Sequence, residues 1–168
     1  MTQAQTARPT KATPKSAAPG AKGAIALLTE DHVNVKKMFK AFEKLKEGDG
    51  SGDAKAALVE KICRELTVHA EVEEEIFYPA VRAAIDDDDL MDEADVEHAE
   101  VKELISQLEG MQPGDDHYDA KVTVLGENVE HHVKEEQDEM FVMAKNAKVD
   151  TAELGAQMVA RKKQLLGA

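Results

Sequence analysis

The chain has one cysteine, Cys63, among 168 residues. That excludes an internal disulfide, a Cys-x-x-Cys pair and a thiolate-rich metal site, and it suits a reducing cytoplasm. Between Ile62 and Arg64 on a helical stretch, Cys63 reads as a small buried apolar residue rather than a reactive thiol. Aromatic residues make up 4% and tryptophan is missing, whereas Ala, Glu, Lys, Val and Leu dominate. With glycine and proline gathered outside the periodic stretches, this composition favours helix over sheet. No run of about 18 apolar residues occurs, and the N-terminus lacks the apolar segment of a secretory signal, so neither a membrane span nor export is expected. Cations are scarce too. Arg8, Lys11, Lys15 and Lys22 sit in the acid-free first 22 residues, so the rest carries 17 basic against 34 acidic side chains. Such a body repels nucleic acid and anionic membranes, and its charge names no protein partner.

Residues 1–22, rich in Thr, Ala, Pro and Lys, hold too little large apolar surface to offset the entropy of ordering and read as a disordered basic tail. Residues 23–168 read as one helical domain. Turn signals at GDGSGD (48–53), DDDD (86–89) and MQPGDDHYD (111–119) divide it into four long periodic segments. These predict helices over about 24–46, 53–85, 90–109 and 119–145, with Pro79 kinking or ending the second and a last short helix over about 151–166. Short connections make successive helices antiparallel, so the expected fold is an all-α, up-down four-helix bundle with a short C-terminal helix.

The apolar stripes of these helices are interrupted at matching points. His32 lies among Ile25, Leu28, Val35 and Phe39; His98 lies among Met91, Ala94, Val101 and Ile105. The second helix places His69 and Glu73 in line with the core positions Ile62 and Leu66, and the fourth places His132 and Glu136 in line with Leu125 and Val129. Residues four apart stack on one helix face, so each His/Glu pair points the same way. Four imidazoles and two carboxylates therefore face the core. An ionised carboxylate cannot be left there without a partner, and no Lys or Arg shares the inward positions, so a metal is the expected counter-charge. Imidazole with carboxylate suits iron best, with manganese or zinc less favoured because structural zinc usually adds thiolates. Two six-coordinate irons bridged by both glutamates and an oxo or hydroxo group would keep up to about two positions free for water, dioxygen, nitric oxide or peroxide.

The pattern is also doubled. HVNVKK from His32 resembles HAEVKE from His98, and each is followed after a turn by a helix bearing His-x-x-x-Glu. The motifs DH (31–32), HAEVEEEIFYP (69–79), EH (97–98) and HHVKEEQDEMF (131–141) resemble the hemerythrin-like, or HHE cation-binding, family over about residues 24–145. The resemblance implies ligands at His32, His69, Glu73, His98, His132 and Glu136, both glutamates bridging. Oxygen-carrying hemerythrins have two histidines four apart on the third helix. Around His98 this sequence has Ala94 and Lys102 instead, which implies an HHE variant with a ligand missing rather than a reversible oxygen carrier.

Other polar residues read as ordinary surface. His131 lies off the buried stripe that His132 continues, so it is expected to face solvent or to stand behind a ligand. His117 and Tyr118 belong to a loop, and Asp31, Glu74, Glu75, Glu135 and the acids at 86–89 read as solvated faces and turns. The expected function is a non-haem di-iron protein that binds or senses a small oxidant or gas. A peroxide-consuming or other di-iron oxidising enzyme, and iron storage, are the alternatives.

Overall fold

The computed structural model describes residues 20–48 and 50–167, so nearly all of the expected basic tail lies outside the described residues. The described chain is helical with no strand. Helix α1 spans Ala24–Glu47, α2 Gly52–Val72, α3 Tyr78–Ala84, α4 Asp88–Glu109, α5 Tyr118–Glu135, α6 Phe141–Asn146 and α7 Ala152–Leu166. Two π-helical turns, π1 at Glu73–Phe77 and π2 at Glu136–Met140, join α2 to α3 and α5 to α6, so each pair runs on as one long helix. Around the bundle α1 packs on α2, α2 on α4, α4 on α5 and α5 back on α1; α7 lies across α1, α2 and π1. This is the antiparallel bundle with a C-terminal helix that the periodicity predicts.

The helix ends follow the turn chemistry. Ser51, Asp87 and Thr151 each accept a hydrogen bond from the backbone N–H three residues on. Such caps satisfy donors that the first helical turn leaves free. The start of α1 is capped from afar: Asp150, before α7, accepts the Ile25 N–H at 3.0 Å. Asp88 and Asp89 fall in the first turn of α4, where acids complement the helix dipole. Pro79 does not end the second helix. The irregularity comes just before it, in π1, and Pro79 sits in the first turn of α3, where its missing N–H is tolerated.

Packing divides the core into two apolar clusters. One gathers Leu28, Phe77, Tyr78, Val81, Met91, Met140, Phe141 and Met158, near α3, α6 and α7. The other gathers Val35, Phe42, Ile62, Leu66, Val101, Ile105, Val122 and Leu125. His32, His69, Glu73, His98, His132 and Glu136, the buried polar residues of the described chain, lie between them along each helix.

Candidate metal centre

The six predicted residues converge. Nε2 of His32 lies 3.1 Å from Nε2 of His69, and Nε2 of His98 lies 3.1 Å from Nε2 of His132. Between these pairs stands Glu73, its Oε1 3.0 Å from His69 Nε2 and its Oε2 3.3 Å from His98 Nε2. Glu136 reaches toward both pairs with one oxygen, Oε2 being 3.2 Å from His32 Nε2 and 4.0 Å from His132 Nε2. Each glutamate thus touches one histidine of each pair.

The rings are held by what lies behind them. Asp31 is 3.2 Å from Nδ1 of His69, Glu74 is 2.9 Å from Nδ1 of His98, and Glu97 is 2.6 Å from Nδ1 of His132. The Gln137 side-chain amide meets Nδ1 of His32 at 3.3 Å. A carboxylate on Nδ1 fixes the tautomer, leaving the Nε2 lone pair free to point inward. Lys162 backs Asp31, and Lys102 backs Glu74. Asp31 and Glu74 are therefore corrections to the reading of solvated faces: they are half-buried and hold the rings of His69 and His98. Glu97 and Gln137, which the sequence reading did not single out, do the same for His132 and His32. The acid of each DH or EH motif bonds the histidine of the neighbouring His-x-x-x-Glu helix, and the residue after each inner glutamate bonds the histidine of the other half.

Tyr78 is the other unforeseen member. Its buried hydroxyl lies 3.0 Å from His98 Nε2, 3.2 Å from His132 Nε2 and 3.4 Å from Glu73 Oε2. It stands beside His98 and His132, in the half whose third helix has no second histidine. Its counterpart in the other half is Phe141, stacked on His32 at 5.9 Å between ring centroids. His131 is 65% exposed, His117 is exposed and starts α5 with φ of 70°, and Tyr118 is buried in the apolar cluster away from the cage.

The donor set fits cations. Oε1 of Glu73 and both oxygens of Glu136 are buried without a hydrogen-bond partner, although imidazole nitrogens lie close by. A buried acceptor left this way costs on the order of 1–3 kcal/mol, more when charged. The proton equilibria carry the same strain. Burial pushes the His69 pKa down, but Glu73 and Asp31 outweigh it and lift the value to about 10. Burial and the neighbouring Glu73 raise Glu136 above the usual carboxylate range. Glu73 is pulled the other way: despite burial, His69 and His98 hold it well below that range. Burial, then the two carboxylates, push the Tyr78 phenol well up. Two clusters of potential ligand atoms result, His32–His69–Glu73–Glu136 and Glu73–His98–His132, joined at Glu73.

Four helices presenting paired histidines and shared carboxylates around a buried cage define a cation-binding bundle of the hemerythrin type. The chain belongs to the family described as the hemerythrin HHE cation binding domain, whose model matches residues 23–144. A hemerythrin HHE cation binding domain-containing protein from Mycobacterium kansasii has the same architecture, with a TM-score of 0.70, 28% identity, and coverage of 86% of this chain and 88% of that one. A protein named DNA nickase from Nostoc sp. (strain PCC 7120 / SAG 25.82 / UTEX 2576) is 34% identical over 86 residues. That match takes in 51% of this chain and 24% of the relative's length, so most of the relative lies outside it.

Proposed function

We propose that the cage holds two irons and that the protein binds or senses a small oxidant or gas, dioxygen, nitric oxide or peroxide, in a reducing cytoplasm. The observation that carries the two-metal reading is Glu73, whose two oxygens divide between the His69 and His98 sides. Glu73 and Glu136 would bridge; His32 and His69 would hold one ion, and His98, His132 and Tyr78 the other. Bound there, iron would supply a change of oxidation state and an exchangeable position.

The chain's own contribution is a small space beside the histidines. A cavity of about 30 Å³ lies against all four rings, walled by Val35, Leu66, Val101 and Val129. That is room for one or a few small molecules the size of water. It admits a diatomic or a peroxide and excludes larger substrates, and its apolar wall offers little to a strongly hydrated ligand. Metal analysis with an optical spectrum tests the reading. Two irons per chain with the near-ultraviolet absorption of a bridged ferric pair are expected; stoichiometric zinc, or a chain purified without metal, would defeat it.

Peroxide turnover is the second reading, favoured by Tyr78, which places a phenolic proton within hydrogen-bonding reach of His98 and His132. Iron-loaded protein that consumes peroxide no faster than free iron, or no faster than its His98→Ala variant, would exclude it. Storage would need many irons per chain, so a stoichiometry near two counts against that role.

A further inference from the structure

Outside the cage, the two halves of the molecule differ at one matched point. Asp31, behind His69, is closed off by Lys162 from α7. Its counterpart Glu97, behind His132, has no lysine or arginine on it among the described residues. Instead, Glu97 Oε1 lies 3.4 Å from Nε2 of His131, and Oε1 of Glu135 lies 3.2 Å from the same nitrogen. In the first half the positions of His131 and Glu135 are taken by Val68 and Val72, both buried. The polar pair occurs only in the half that α7 leaves uncovered.

We infer that Glu97, His131 and Glu135 form a third, outer site for a divalent transition-metal cation, sharing Glu97 with the cage. One imidazole nitrogen and two carboxylate oxygens lie within 4.8 Å of one another. His131 and Glu135 stand four apart on regular α5, so the same i, i+4 geometry that builds the inner pairs builds this one a step around the helix. The carboxylates face an open groove lined also by Asp89, Asp92 and Glu93, with no lysine or arginine among its lining residues. Asp92 is engaged by Arg82, whereas Asp89 and Glu93 meet no lysine or arginine among the described residues. Glu97 uses Oε2 on His132 and Oε1 toward His131, so the inner hydrogen bond need not break when the outer cation binds. Nitrogen with oxygen donors suits Mn²⁺, Fe²⁺, Co²⁺ or Zn²⁺ rather than Ca²⁺ or Mg²⁺, and the exposure of His131 leaves water to complete the shell. A cation held there is one carboxylate away from a cage ligand.

The test uses the full chain given two equivalents of Zn²⁺, a diamagnetic stand-in for the cage, with the excess removed so that the outer site is open. Mn²⁺ is then titrated, free Mn²⁺ is counted by electron paramagnetic resonance, and amide broadening is mapped by nuclear magnetic resonance. One further equivalent is expected, broadening residues around 97, 131 and 135, and weakened about tenfold or more in His131→Ala and in Glu135→Gln while the cage zinc stays bound. No further equivalent at millimolar Mn²⁺, or one that both variants retain unchanged, would overturn the assignment and leave the triad a plain hydrogen-bonded cluster. Zinc missing from the cage in the parent chain would instead count against the inner centre, since the outer ligands do not depend on it.

Discussion

Replacing Glu136 by glutamine preserves its shape and removes its charge, which separates the two demands on the cage. Glu136 is a buried carboxylate whose pKa the fold raises, so its ionised form weakens the metal-free fold at neutral pH. Glu136→Gln should therefore raise the urea midpoint of the metal-free chain at pH 7, and lower metal affinity by about tenfold or more in competition with a chelator. His69 gives the pH dependence. Its folded pKa of about 10 exceeds the unfolded value, so its contribution to metal-free stability is full below about pH 6.5 and is lost as pH rises through about 10. Metal must displace that proton, and His98 is raised as well, so affinity should climb by about tenfold or more per pH unit below about pH 10 and level off above it. Isothermal titration at several pH values measures both the slope and the protons released. Tyr78→Phe copies Phe141 of the other half, so the fold should persist; if Tyr78 serves as a ligand, the iron-loaded variant loses a phenolate-to-iron absorption band in the visible.

At the scale of elements, the π turns explain what the sequence concealed. The four histidines and two glutamates were legible because three- and four-residue steps place them on faces that are otherwise apolar, and burial of charge there demands a cation. Tyr78 was not legible. Five residues beyond Glu73, it should lie roughly 140° around a regular helix and point away from the cage. In π1 the Tyr78 N–H bonds back to the Glu73 carbonyl five residues earlier, which widens the turn and brings Tyr78 under Glu73. π2 does the same for Phe141 and Glu136 without a proline, so Pro79 alone does not account for the device. The outer carboxylates were hidden for another reason: Asp31 and Glu97 act across to a neighbouring helix, and periodicity within one helix cannot report a cross-helix partner. The seat of α7 was hidden as well, because it rests on contact rather than pattern. A Cβ on Gly155 would come 2.2 Å from the Lys22 carbonyl oxygen. Gly155→Ala should thus cost about 1–3 kcal/mol in urea unfolding, by pushing α7 off the start of α1.

Over the whole molecule, the pseudo-repeat is symmetric in its inner ligands and unequal around them. One half carries Gln137 and Phe141 beside His32, the other Glu74 and Tyr78 beside His98, so the second half has more negative charge behind its rings, and Tyr78 there supplies the oxygen that Glu136 supplies to the first. Filling the cage should raise the melting temperature, by the equivalent of about 2.7 kcal/mol at a free metal concentration one hundred times Kd, and chelation should reverse the gain; differential scanning fluorimetry at graded metal concentrations reads this directly. The two apolar clusters lie on either side of the cage and contain none of its six polar residues, so each is expected to stay packed when the metal is removed by a chelator. When empty, the same arrangement puts a seam of stranded charge across the middle of the bundle. Amide hydrogens nearest His32, His69, His98 and His132 should then exchange before those in either cluster, and the ion acts as the rivet that makes the two ends of the bundle open as one.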